Sequence, residues 1–170
     1  MEDKFMSAPK RFVVDLPCGV FYDLENLVLD LNGTLTSGGK FIEGAVERLK
    51  EISKALNIYI LTADTYQTAQ DLRAEFEGVE RIKFHPLESG RGDLQKLSFL
   101  EELGREQTAA IGNGCNDALL LKESALGICI VGKEGASTEA LLASNAIFNN
   151  ICDALDIFLH KNRMIATLRK

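Results

Sequence analysis

Asp30 opens the segment Asp30-Leu31-Asn32-Gly33-Thr34-Leu35-Thr36, directly after the apolar run Leu27-Val28-Leu29. A carboxylate at the end of a buried strand is a nucleophile on a rigid mount. Gly33 and Thr34 read as a tight turn whose N–H groups suit phosphate oxygens. Thr62, in Thr62-Ala63-Asp64, follows the run Ile58-Tyr59-Ile60-Leu61 and offers a hydroxyl donor. Lys96 offers a positive charge for a phosphoryl group and for an acyl-phosphate intermediate. In Gly112-Asn113-Gly114-Cys115-Asn116-Asp117, Asp117 with Asn113 offers hard oxygen ligands for magnesium, an ion that takes few protein ligands and keeps waters. Together these groups outline phosphoryl transfer, which rests on positioning and charge neutralisation.

Each residue also has a plainer role. Asp30 could end a strand in a turn, and Thr62 could cap a following helix. Arg91 and Lys122 rival Lys96 as the cation. Asp64 reads as the opening of a helix, and Cys115 as incidental to its loop.

The elements that must position these residues alternate between strand and helix. Residues 27–30, 58–61, 81–84, 108–111, 128–131 and 146–148 read as strands. Between them Val46, Leu49, Ile52 and Leu56 recur at helical spacing, as do Ala69, Leu72 and Phe76, and Leu94, Leu97, Leu100 and Leu103. Asp93 is placed to cap the third of these helices, and residues 116–125 read as another. Ser137 and Thr138 open a short helix, and Asn150 caps one that carries Ile151, Leu155 and Leu159. The alternation predicts an α/β fold, a doubly wound and mostly parallel sheet with helices on both faces. Ligands of such sheets bind beyond the carboxyl ends of the strands, where the segments above fall. Residues 12–15 and 20–22 flank Leu16-Pro17-Cys18-Gly19 and predict an N-terminal hairpin, within residues 1–24, at the edge of the sheet. Residues 161–170 read as a solvated basic tail, and 1–170 as a single domain.

A hydrophobic fraction of 46% against 26% charged residues excludes disordered, coiled-coil and collagen-like chains. No apolar run nears the about 20 residues that cross a bilayer. Residues 1–10, with Glu2, Asp3 and Lys4, lack the apolar centre of a secretory signal, so the expected setting is cytoplasmic, with no membrane partner. A net charge of −6 argues against a nucleic-acid partner but not against small phosphorylated ligands. Cys18, Cys115, Cys129 and Cys152 stand singly and His85 lies far from His160, so no zinc site is expected. The cysteines read as reduced thiols, Cys129 and Cys152 as small core residues. No GxGxxG follows the first strand, which excludes a dinucleotide-binding reading.

The strings DLNGTLT at 30–36, ILTADT at 60–65 and IGNGCNDALLLK at 111–122, with Lys96 between the last two, together resemble the haloacid dehalogenase superfamily of phosphohydrolases. Within it they are most similar to small soluble relatives of P-type ATPase catalytic domains, over roughly residues 27–159. The resemblance implies an aspartyl-phosphate on Asp30, phosphoryl oxygens bound by Thr62 and Lys96, and Mg2+ held by Asp30, the backbone carbonyl of Asn32 and Asp117. The candidate sets are then Asp30, Asn32, Thr62 and Lys96 for catalysis; Gly33, Thr34, Thr62, Ala63 and Lys96 for substrate phosphate; and Asp30, Asn32, Asn113 and Asp117 for metal.

Two positions depart from the family pattern. Asn32 stands where most of these phosphatases carry the acid–base aspartate, a role worth about 10²–10⁴-fold. Asn113 stands where an aspartate is usual, which removes one negative charge near the metal. These changes imply a slow phosphatase, or one that favours aryl and acyl phosphates; the alternative is a catalytically weak or inactive binding module. Neither interval, 30–62 or 62–96, has room for a cap domain. An open site implies a large phosphorylated substrate or a lid from a second subunit, hence a homo-oligomer. There is also no room for a nucleotide-binding insertion, so ATP use is not implied.

Overall fold

The strand that carries Asp30 is buried on both faces. It is the third of the chain, β3 (Asn26–Asp30), and lies inside a six-stranded, wholly parallel sheet. The computed structural model describes residues 11–17, 19–63 and 68–170, so Cys18, Asp64 and residues 1–10 lie outside the described residues. The other strands of the sheet are β6 (Asn57–Thr62), β7 (Ile82–Pro86), β8 (Thr108–Gly112), β9 (Leu126–Ile130) and β10 (Ala146–Phe148), in the order β10-β9-β8-β3-β6-β7. The chain runs outward from β3 through β6 to β7, then returns to lay β8 against the other side of β3. That reversal makes the crevice between the carboxyl ends of β3 and β8 the place where loops part and a ligand fits. Successive strand residues face opposite sides. Leu27 and Leu29 enter one core with Ile58, Ile60 and Ile111, while Val28 enters the other with Leu61, Phe99, Leu100 and Ala110. Asp30 shares the side of Val28, so the strand period alone aims it at the helix that carries Phe99 and Leu100.

That helix is α3 (Gly92–Leu103), which covers the second face with α4 (Ala118–Glu123) and α5 (Thr138–Ala143). The first face is covered by α1 (Ala45–Ile52), α2 (Thr68–Ala74), α6 (Ile151–Leu159) and α7 (Lys161–Leu168). The caps of α5 and α6 follow the expected residues. The Ser137 hydroxyl accepts from the Ala140 amide at 3.0 Å, and the Asn150 side chain accepts from the Cys152 amide at 2.7 Å. Asp93 does not cap α3; its carboxylate takes both arms of the Arg91 guanidinium at 2.9 and 2.6 Å. Residues 115–117 form a single 3₁₀ turn ahead of α4 rather than its first helical turn. Cys129 is fully buried, and Cys152 is half-buried.

Residues 161–168 form a packed helix rather than a tail, although Arg163, Arg169 and Lys170 are exposed as expected. Met164 is fully buried, Ile165 and Leu168 pack against the first core, and Arg163 reaches Asp156 of α6 at 3.0 Å. The apolar spacing within α7 outweighs its terminal charges. The N-terminal hairpin, β1 (Phe12–Asp15) with β2 (Phe21–Leu24), forms a two-stranded sheet of its own and packs Phe12 on Phe158 of α6, ring centroids 5.7 Å apart. A second hairpin, β4 (Thr36–Ser37) with β5 (Lys40–Phe41), stands between β3 and α1. Its turn is Gly38-Gly39, with φ of 59° and 77°, the pair of positive angles that a tight two-residue hairpin turn requires. The Gly-Gly pair was the sequence signal for this hairpin, which the apolar periodicity passes over.

Asp156 ties three helices together, accepting from Arg48 of α1 at 2.7 Å and from Arg163 of α7. The Arg48 hydrogen bond, opposed by burial, holds its carboxyl below the usual carboxylate range. A carboxyl lowered on folding stabilises the fold above its unfolded value, and that contribution fades as pH falls through the folded value. Asp156→Asn is therefore expected to cost about 1–2 kcal/mol at pH 7, shrinking below about pH 4, in urea denaturation across pH.

Candidate active site

One face of α3 delivers Lys96 to the sheet. The residue lies on the buried stripe with Phe99 and Leu100, at the i, i+3 and i+4 spacing of a helix face, and is itself wholly inaccessible to solvent. Its ammonium donates to Asp30 Oδ1 at 2.7 Å and to Asp117 Oδ1 at 2.6 Å. The Asp30 side chain keeps 14% exposure, while Asp117 keeps none. The nucleophile candidate therefore opens to solvent on one side, and its partners are sealed behind it. Of the three cations weighed from the sequence, Arg91 pairs with Asp93 and Lys122 is exposed.

The loop after β8 presents Asp117. The amides of Asn113 and Gly114 donate to Asp117 Oδ2 at 3.0 and 2.9 Å, so the carboxylate closes its own turn. Gly112 makes the fit possible, because a Cβ there would lie 2.5 Å from the Asp117 carboxyl carbon. The Asn113 side chain is occupied at both ends. Its oxygen accepts from the Thr34 hydroxyl at 3.2 Å and its nitrogen donates to the Gly135 carbonyl at 3.2 Å. That amide joins the loops after β3, β8 and β9.

The phosphate set divides. The Gly33 amide donates to the Thr36 carbonyl at 3.1 Å and Thr34 is fully buried, so both shape the turn rather than face a ligand with those groups. Thr62 ends β6 at 2% exposure, and Ala63 beyond it is exposed. Asn32 is exposed at the same end of the sheet. Gln95, not singled out from the sequence, sits beside Lys96 and holds both backbone groups of Glu88, accepting from its amide at 2.8 Å and donating to its carbonyl at 3.1 Å. A polar residue one position from a buried lysine carries no sequence signal of its own.

Two carboxylates and one ammonium leave this cluster one negative charge in excess. Burial and then the Asp117 charge push the Asp30 carboxyl up to about 7, opposed by the Lys96 ammonium. Burial alone would lower the Lys96 ammonium, but Asp30 and Asp117 hold it above its ordinary value. Among the described residues no three His, Cys, Asp or Glu side chains group to hold a metal. Two carboxylates suit a hard ion that keeps much of its hydration, such as Mg2+. Lys96→Met keeps the volume and removes the charge, leaving two buried carboxylates uncompensated. It is expected to cost about 3–5 kcal/mol in urea denaturation at pH 8, with part of the loss recovered in Lys96→Met/Asp30→Asn.

No family model matches the chain. Two uncharacterized proteins of Methanocaldococcus jannaschii are similar to it. One is 48% identical over 95 residues, 54% of this chain and 97% of that protein; the other is 51% identical over 39 residues, 23% of this chain and 89% of that protein. Among solved structures, the 3-deoxy-D-manno-octulosonate 8-phosphate phosphatase of Moraxella catarrhalis, in complex with magnesium, phosphate and KDO, superposes with a TM-score of 0.57 at 16% identity, covering 86% of this chain and 94% of that one. The cobalt-bound Haemophilus influenzae phosphatase of the same name gives 0.65 at 14%, with the same coverage. A zinc-transporting PIB-type ATPase in its E2.Pi state gives 0.55 at 21%, covering 75% of this chain and 20% of that one. At these identities the likeness is one of fold. The chain thus shares its fold with these phosphatases and with a solved protein described as a putative HAD family hydrolase.

Proposed function

We infer that the chain is a divalent-metal-dependent phosphohydrolase with Asp30 as its nucleophile. One observation carries the reading: a half-open carboxylate at a strand tip, joined through a buried lysine to a second carboxylate on the adjacent strand's loop. The activity for which the Moraxella and Haemophilus neighbours are named, phosphatase action on a sugar-acid phosphate, supports the reaction class and not the substrate.

In this reading an Asp30 carboxylate oxygen attacks phosphorus while the ester oxygen leaves on the far side. The Lys96 ammonium and the Thr62 hydroxyl hold phosphoryl oxygens, and water then cleaves the aspartyl-phosphate to return Asp30 and phosphate. A magnesium ion held by Asp30, the Asn32 carbonyl and Asp117 would neutralise charge developing on those oxygens. The exposed Asn32 amide neither gives nor takes a proton, so this position leaves the departing oxygen unassisted. Asn32 also motivates a second reading, a non-catalytic domain that keeps the fold and binds a phosphate-bearing ligand.

p-Nitrophenyl phosphate, whose leaving group needs no acid, is the suitable probe. With Mg2+ the wild type is expected to hydrolyse it, and Asp30→Asn to be slower by about a thousandfold or more. Mg2+ is expected to raise the melting temperature of the wild type and not that of Asp117→Asn. Equal rates with Asp30→Asn would overturn the reading, and an inactive wild type would support the binding domain.

A further inference from the structure

A cavity of about 340 Å3 has a wall that includes Ala63, Leu87, Glu88, Ser89, Gly92 and Asn116. Three of these adjoin site residues: Ala63 follows Thr62, Gly92 lies one helical turn before Lys96, and Asn116 precedes Asp117. The cavity wall is therefore continuous along the chain with three of the segments that carry the site residues, although Thr62, Lys96 and Asp117 do not line it themselves. A larger cavity, about 530 Å3, lies under the β4–β5 hairpin and meets the candidate site residues only at Gly33.

The smaller cavity has a defined chemical character. Among the described residues, Glu88 is the one charged side chain on its wall, beside the Ser89 hydroxyl, the Asn116 amide and the apolar Leu87 and Ala63. The nearby arginine, Arg91, is taken by Asp93. The loop that carries Glu88 and Ser89 is fixed by the paired Gln95 bonds to the Glu88 backbone and by the Leu87 amide donating to the Thr62 carbonyl at 2.8 Å. Among the described residues the wall offers a carboxylate and no cation, a character that repels an anionic group and accepts hydroxyls.

We propose that this cavity receives the leaving group, that the substrate is a phosphomonoester of a small hydroxylated compound without negative charge of its own, and that Gln95 is a positioning residue for that wall. The proposal rests on the phosphohydrolase reading. It separates this chain from its structural neighbours named for a sugar-acid phosphate.

Glycerol 3-phosphate and 3-phosphoglycerate form a suitable pair, because they share a three-carbon ester and differ by a carboxylate. The wild type is expected to favour glycerol 3-phosphate by about tenfold or more in kcat/KM. Glu88→Lys is expected to narrow or invert that ratio about tenfold, with inhibition by inorganic phosphate changed less than threefold. Gln95→Leu is expected to raise KM for glycerol 3-phosphate severalfold with kcat and phosphate inhibition nearly unchanged, a split that general destabilisation would not produce. Equal use of both esters by the wild type, or an unchanged ratio in Glu88→Lys, would overturn the proposal while p-nitrophenyl phosphate turnover dependent on Asp30 left the parent reading standing. A wild type inactive on every ester would overturn both.

Discussion

A lysine ammonium closed off from water holds two carboxylates within hydrogen-bond distance, one still in touch with solvent. Taking these charges out of water costs several kcal/mol per ion, recovered only if each oxygen and each N–H finds a partner. Asp117 meets that condition through Lys96 and two backbone amides. At Asp30 burial and the Asp117 charge outweigh the Lys96 ammonium, which raises its protonation equilibrium. A cation reaching the exposed side of Asp30 would restore the charge balance and favour the ionised, nucleophilic form.

The cluster depends on topology more than on any single bond. Asp30 and the Asp117 loop are far apart in sequence, yet they end adjacent parallel strands paired from Asn26–Thr108 to Leu29–Ile111. The strand period turns Asp30 toward α3, and the buried stripe of α3 places Lys96 opposite it. Gly112 leaves the space that the Asp117 carboxylate fills. The only extra element between β3 and α1 is the short β4–β5 hairpin, so the crevice carries no cap domain within the described residues.

The two neutral positions differ in what they do. Asn113 is built into the scaffold, because its amide donates to Gly135 while accepting from Thr34, and an aspartate could accept from Thr34 but not donate to Gly135. Asn32 is exposed and bridges Thr36 across the turn after β3. The Asn113 amide is thus held by the scaffold, whereas the Asn32 side chain is open to solvent.

Much was legible in the amino-acid order. The apolar runs ending in Asp30 and Thr62, the helical spacing around Lys96 and the glycines around Asn113 are local patterns, and local sterics and hydrophobic burial settle them without reference to distant residues. So the α/β alternation, the caps Ser137 and Asn150, and the placing of Asp30 and Thr62 at strand ends could be read directly. The choice of Lys96 over Arg91 and Lys122 could not, because it depends on which side chain the packed helix turns inward and which finds a closer partner. The same holds for the commitment of Asn113 and the Gly33 amide to the scaffold, for the docking of residues 161–168, and for the Gln95 hold on Glu88. Each is a competition between partners remote in sequence or hidden in a loop, and only the packed chain brings those partners within bonding distance.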